Sequence, residues 1–201
     1  MRPERDKCAG ASAIEAAVVI LIMGVLLSVL MPTIGLLREN ALGARCQQHL
    51  RTLGHAIEFY MADYRFENWL PASDPGGSRW FEKLEPFVGG HDAGRARENF
   101  TCPRAPLDQR GFTTSTVSFG WNERFLPFGT LSNKVANADE TVVIADSLRG
   151  ADSSAVLPPE GELRLDTRHR GRGNVLFIGG NVGAMSRQTA LFEWPRYWDR
   201  E

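Results

Sequence analysis

Among the side chains able to do chemistry, one carboxylate stands in the wrong solvent. Glu15 opens an apolar run in which nothing from Ala16 to Met31 is charged. A carboxylate held in hydrocarbon costs about 3 kcal/mol or more unless it is paired, so its chemistry is electrostatic and calls for a cationic partner. The three cysteines, Cys8, Cys46 and Cys102, lie far apart in the chain. Neither Cys46 nor Cys102 has a Cys or His at finger spacing, so no metal is expected there. His49 and His55 have helical neighbours unsuited to a metal site and read as ordinary surface or flank residues. His169 stands among Arg164, Arg168, Arg170 and Arg172. That basic patch is either a docking face for an acidic neighbour or a solvated loop, and the loop is preferred. Asp146, near a strand end, is a candidate hydrogen-bond partner for His169. Asp139, Glu140, Asp146, Asp152 and Asp166 are scattered, without the alternating acids of a calcium loop. No G-x-S-x-G, H-E-x-x-H or phosphate-binding loop is present, so the chain reads as a non-enzyme without cofactor.

The elements that hold these residues follow from periodicity. A helix through the apolar run to Leu37 exceeds the roughly 20 residues that cross a hydrocarbon core. A secretory signal has a shorter apolar stretch and a small-residue cleavage site after it, and neither fits. Beyond Pro32 the pattern becomes one-sided: Cys46, Leu50, Leu53, Ile57, Tyr60 and Tyr64 recur at alternating steps of four and three, the stripe of an amphipathic helix continuing to Glu67. Gly24 and Pro32 are where it could bend. Trp69-Leu70-Pro71 stops it. A short helix capped by Ser78 is expected from Trp80, His91 to Arg97 reads as exposed loop, and Asp152 to Gly161 as linker. Strands are expected at Val117 to Asn122 and Thr141 to Ala145, and a hairpin at Asn174 to Met185 with a two-residue primed turn at Gly179-Gly180. The aromatic tail, Phe192, Trp194, Tyr197 and Trp198, can pin itself to the domain. With 201 residues and a formal net charge of −1, the chain allows one modest domain beside the membrane segment and gives no reason to expect nucleic acid. The weakly basic start belongs on the cytoplasmic side, leaving the remainder outside.

The amino terminus resembles that of type IV prepilins and type II secretion pseudopilins. In that family a short charged leader ends in Gly, and Glu is the fifth mature residue of an apolar helix that often carries Pro at position twenty-two. Here Gly10 ends the leader, Glu15 stands fifth after it and Pro32 twenty-second. Ala11 replaces the usual Phe or Met, and Ser12-Ala13-Ile14 the commoner Thr-Leu-Ile. The resemblance implies cleavage between Gly10 and Ala11 by a prepilin peptidase, N-methylation of Ala11, and pairing of Glu15 with a neighbouring subunit's amino terminus. It implies as partners the lipid bilayer, copies of itself, other pilin-like subunits and an inner-membrane assembly platform. The expected organisation is leader 1–10, transmembrane and assembly helix 11–37, amphipathic continuation 38–67 and extracytoplasmic domain 68–201. That describes a single-pass inner-membrane protein with a cytoplasmic amino terminus and a periplasmic domain. Loss of the leader removes Cys8 and leaves Cys46 and Cys102 in an oxidising compartment, either as a disulfide or as two buried thiols.

A second likeness covers almost the whole mature chain. Cys46, a Leu-x-x-Leu-Gly helix, Phe100-Thr101-Cys102-Pro103, Phe119-Gly120-Trp121-Asn122, Ala145-Asp146-Ser147 and Arg168-His169 resemble prepilin-like proteins abundant in planctomycetes and verrucomicrobia. Their carboxyl region carries H-x9-D-G. The motif's His is His169, and Gly179-Gly180 stands where Asp-Gly would, so the carboxylate is lost while the turn chemistry is kept. A structural role for His169, Gly179 and Gly180 is therefore expected. The fold expected is α+β and pilin-like, a long helix on a small, mainly antiparallel sheet. The function expected is a structural pseudopilin-like subunit of a pilus or pseudopilus serving type II-like secretion. The rival is a membrane-anchored binding module that never polymerises, for which Glu15 has no use.

Overall fold

The computed structural model describes residues 13–63, 68–89, 93–105, 117–148, 155–157 and 162–198. The leader, Gly10, Ala11 and Tyr64 lie outside these residues. The fold is α+β: among the described residues, helix α1 (Ala13–Ala62), further short helices and five strands in one mixed sheet. The chain divides into two compact units, Met1–Ala41 and Leu42–Glu201.

In the first unit α1 continues as α-helix through Gly24 and Pro32. Its large apolar side chains from Ile14 to Leu37 are between 48% and 75% exposed. Ser28 and Thr33 return their hydroxyls to the carbonyls of Val25 and Leu30, both at 2.7 Å. This half of α1 therefore satisfies these polar groups internally and offers apolar surface on every side, as a helix in lipid must. It is long and apolar enough to cross a membrane.

In the second unit the expected stripe is buried: Cys46, Leu50, Leu53, Ile57 and Tyr60 are at most 4% exposed. Each fully buried aliphatic side chain contributes about 1.5–3 kcal/mol of hydrophobic stabilisation. The strands are β1 (Phe119–Asn122), β2 (Val142–Asp146), β3 (Ala155–Leu157), β4 (Arg172–Phe177) and β5 (Val182–Ser186), in the order β3-β1-β2-β4-β5. Both sheet faces are covered, which explains the unbroken apolar run of β2. Val143, Ile144 and Leu176 join the core formed with α1, Trp80, Phe100 and Trp121. Val142, Ala145, Val156 and Val175 pack with Trp198 on the other.

Several expectations need correction. The stretch read as linker holds β3, which pairs parallel with β1 and makes the otherwise antiparallel sheet mixed. Helix α2 (Trp80–Leu84) is capped at Arg79, not Ser78, with the Arg79 amide donating to Glu82 Oε2 at 2.9 Å. The segment read as loop holds α3 (Ala93–Glu98), whose Ala96 is buried. The β4–β5 hairpin turns through three residues: Phe177 and Asn181 remain paired, and among the linking residues only Gly180 has positive φ, at 86°. The primed turn lies elsewhere, at Arg170 (φ 55°) and Gly171 (φ 76°), between the mutually bonded His169 and Arg172. In the tail, helices α4 (Arg187–Phe192) and α5 (Trp194–Trp198) follow β5. Trp198 is the buried anchor and donates from Nε1 to the Ala190 carbonyl, whereas Phe192 is 79% exposed.

Candidate functional site

Four elements of the second unit bring together the side chains with the richest chemistry. Cys46 comes from the buried stripe of α1. Cys102 follows α3, where its amide takes a 2.6 Å bond to Ser118 Oγ. Asp146 is the last residue of β2, and His169 opens the primed turn into β4. Cys46, Cys102 and Asp146 are fully buried, and the His169 side chain is 10% exposed.

Their functional atoms all lie within 4.8 Å of one another. Cys102 Sγ is 3.2 Å from His169 Nε2, Cys46 Sγ is 3.6 Å from Asp146 Oδ1, and His169 Nε2 is 3.5 Å from Asp146 Oδ2. The backbone amide of Asn174, on β4, donates to Asp146 Oδ2 at 2.7 Å. Gln47, next to Cys46 in sequence, donates to Asn174 Oδ1 at 3.2 Å. The turn geometry is what delivers His169: positive φ at Arg170 and Gly171 folds the chain back within two residues, so the imidazole stands beside the end of β2.

The electrostatics are those of crowded acids in a buried site. Burial pushes the Cys46 thiol up, and the neighbouring Cys102 and Asp146 push it further. The Cys102 thiol is lowered, first by the Cys46 hydrogen bond and, against burial, by His169. Burial and the Cys102 charge raise Asp146 to about 7. Burial disfavours the His169 imidazolium, but Cys102 and Asp146 outweigh it and raise its pKa.

This arrangement does not make a nucleophile and base held by a third group. In such a triad the carboxylate orients the imidazole through the nitrogen opposite the nucleophile. Here Cys102 and Asp146 both face Nε2, while buried Nδ1 has no partner among the described residues. What the cluster suits is a bond between the two thiols or a shared cation.

Cys46 and Cys102 thus lie side by side, unbonded in this structure. His169 and Asp146 also meet. His169 and the Gly179-Gly180 turn do not form one site. Along α1, a Cβ on Gly43 would meet His169 Nδ1 at 3.6 Å, and one on Gly54 would lie 3.7 Å from the Gly180 carbonyl oxygen. Those glycines are about three helical turns apart, so the motif's two ends flank α1 at separate points. Gly179 abuts Asp139: a Cβ there would fall 2.1 Å from Asp139 Oδ1. A larger residue at 179 would therefore have to displace the Asp139 side chain.

Two further readings change. His49 is 8% exposed, and its Nδ1 lies 2.8 Å from the Thr101 carbonyl oxygen, so it is a packed residue and not a surface one. Arg168 belongs to no exposed patch, because its side chain is 6% exposed, pairs with Asp166 at 2.7 Å and donates to the Ser147 carbonyl at 2.7 Å. Glu15 is exposed in the first turn of α1. Local spacing could not reveal the four-residue cluster, since its members come from four separate segments. A surface recess near 570 Å³ between Ala72–Arg79 and Phe128 gathers no comparable chemistry. No protein-family model, no curated protein and no solved structure matches this chain.

Proposed function

We propose that this chain is a structural, non-catalytic pilin-like subunit, anchored in a membrane by the first half of α1 and assembled through it. The supporting observation is an apolar helix surface left exposed from Ile14 to Leu37, with Glu15 in its first turn. A buried carboxylate in lipid is costly alone and far cheaper beside an ammonium. A neighbouring subunit's amino terminus, freed by cleavage between Gly10 and Ala11, supplies that ammonium and sets the register of the next helix. Ala16, Ala17, Gly24 and Ser28 allow close approach between such helices. On this reading the partners are a prepilin peptidase, copies of the chain, other pilin-like subunits and an assembly platform in the inner membrane. The domain then faces the periplasm, and the filament is a pseudopilus of a type II-like secretion machine.

Intact mass and amino-terminal sequencing of the protein recovered from its native membrane test the processing. A chain beginning at methylated Ala11 is expected. Glu15→Leu should leave membrane insertion intact and abolish incorporation into filaments. An unprocessed chain starting at Met1, or a Glu15→Leu variant that assembles normally, would replace this reading with that of an anchored binding module.

A further inference from the structure

We infer that Cys46, Cys102, Asp146 and His169 are the four ligands of a closed zinc site that fastens α1 to the sheet. The site lies wholly in the second unit and stands independently of any role in assembly.

Geometry is the first argument. Zinc bonds of about 2.3 Å to sulfur and 2.0–2.2 Å to nitrogen or oxygen, at tetrahedral angles, set neighbouring ligand atoms about 3.3–3.8 Å apart. Cys102 Sγ and His169 Nε2 stand 3.2 Å apart, just under that range; Cys46 lies 3.6 Å from one oxygen of Asp146 and His169 3.5 Å from the other, and one ligand atom from each of the four residues falls in a single 4.8 Å cluster. The donor set is the second argument. Two sulfurs, an imidazole nitrogen and a carboxylate oxygen suit a borderline-soft dication and fit neither calcium nor magnesium, which take oxygen. The third is charge. Two thiols and a carboxyl sharing a buried site are costly as anions, and a dication compensates them directly. Binding sends the thiol protons to solvent and needs no oxidant.

The surroundings fit a ligand shell. Asn174 fixes Asp146 through its backbone amide. Gln47 in turn holds the Asn174 side chain. Such outer contacts orient metal ligands and tune their basicity. Burial of three ligands and most of the fourth leaves no open coordination position, which assigns a structural and not a catalytic zinc. The ion would join α1, the segment after α3, the end of β2 and the turn before β4, segments far apart in sequence, Cys46 and Asp146 alone being separated by 100 residues.

The test uses the full chain in detergent, purified without chelator. Elemental analysis should find one zinc per chain, and non-reducing intact mass after alkylation in denaturant and chelator should show both thiols reduced. Replacing zinc by cobalt(II) should give the sulfur-to-cobalt charge-transfer band and the ligand-field bands of a tetrahedral site. A chelator should lower the melting temperature by on the order of 10 °C, reversibly on adding zinc. Cys46→Ser and His169→Gln should each weaken zinc at least tenfold. The wild-type cobalt spectrum needs no variant, so a misfolded mutant cannot hide the answer. A tetrahedral cobalt spectrum supports the site even where zinc is lost in purification. Its absence, or a Cys46–Cys102 disulfide in the purified chain, overturns the proposal, and stoichiometric iron or copper overturns the assignment to zinc.

Discussion

At the scale of single residues, burial changes what a side chain can do. His49 reads from sequence as a flank residue, yet it is packed against the Thr101 carbonyl, and burial is the main cause of its lowered pKa. A histidine whose folded pKa lies below its unfolded value stabilises the fold fully above about pH 6.5 and loses that contribution as pH falls toward the folded value. His49→Gln should therefore flatten the decline in stability between neutral and mildly acidic pH, as read by denaturant titration across that range. An unchanged slope would show that His49 titrates as it does in the unfolded chain. Gly179 makes the same point in reverse. The Asp139 side chain lies in the space that a side chain at 179 would enter, so a larger residue there would have to displace it.

At the scale of elements, the sheet depends on one close approach. β1 and β3 pair in parallel, and a Cβ on Gly120 would sit 2.2 Å from the Val156 nitrogen and 2.6 Å from the Ala155 carbonyl carbon. Backbone cannot yield as a flexible side chain would, so Gly120→Ala should destabilise the domain by roughly 3 kcal/mol or detach β3. Hydrogen exchange at Ala155–Leu157 distinguishes the two, and an alanine variant of wild-type stability with protected β3 amides would contradict the pairing. Helix α1 carries two different surfaces in one element. Its later half is amphipathic, burying one stripe against the sheet, and its earlier half is apolar and exposed from Ile14 to Leu37.

At the scale of the whole molecule, that uncovered apolar helix leads to a prediction about where the chain resides. With side chains from Ile14 to Leu37 about half exposed or more, the protein should sediment with membranes, resist extraction by salt and alkaline carbonate, and dissolve in non-ionic detergent. Fractionation followed by immunoblotting checks this, and recovery in the soluble fraction without detergent would refute membrane anchoring. Because the cysteine, aspartate and histidine cluster lies in the other unit, its loss should leave this partitioning unchanged.

The sequence by itself determined what depends on periodicity and local chemistry. The apolar run before Leu37, the buried stripe from Cys46 to Tyr60, the strands near Phe119 and Val142 and the hairpin before Met185 were legible, because each repeats over neighbouring residues. Tertiary structure alone decided the rest. β3 was hidden because its three residues carry too short a pattern and are held by pairing with β1. The primed turn was misplaced because glycine pairs advertise positive φ, while at Arg170 the mutual bonds of His169 and Arg172 accompany that conformation in a non-glycine residue. The sequence suggested Asp146 with His169 and Cys46 with Cys102 as separate pairs, but nothing local signalled that the two pairs meet. Ligands drawn from a helix, a loop, a strand end and a turn share no spacing, and only the packing of α1 against the sheet makes them neighbours.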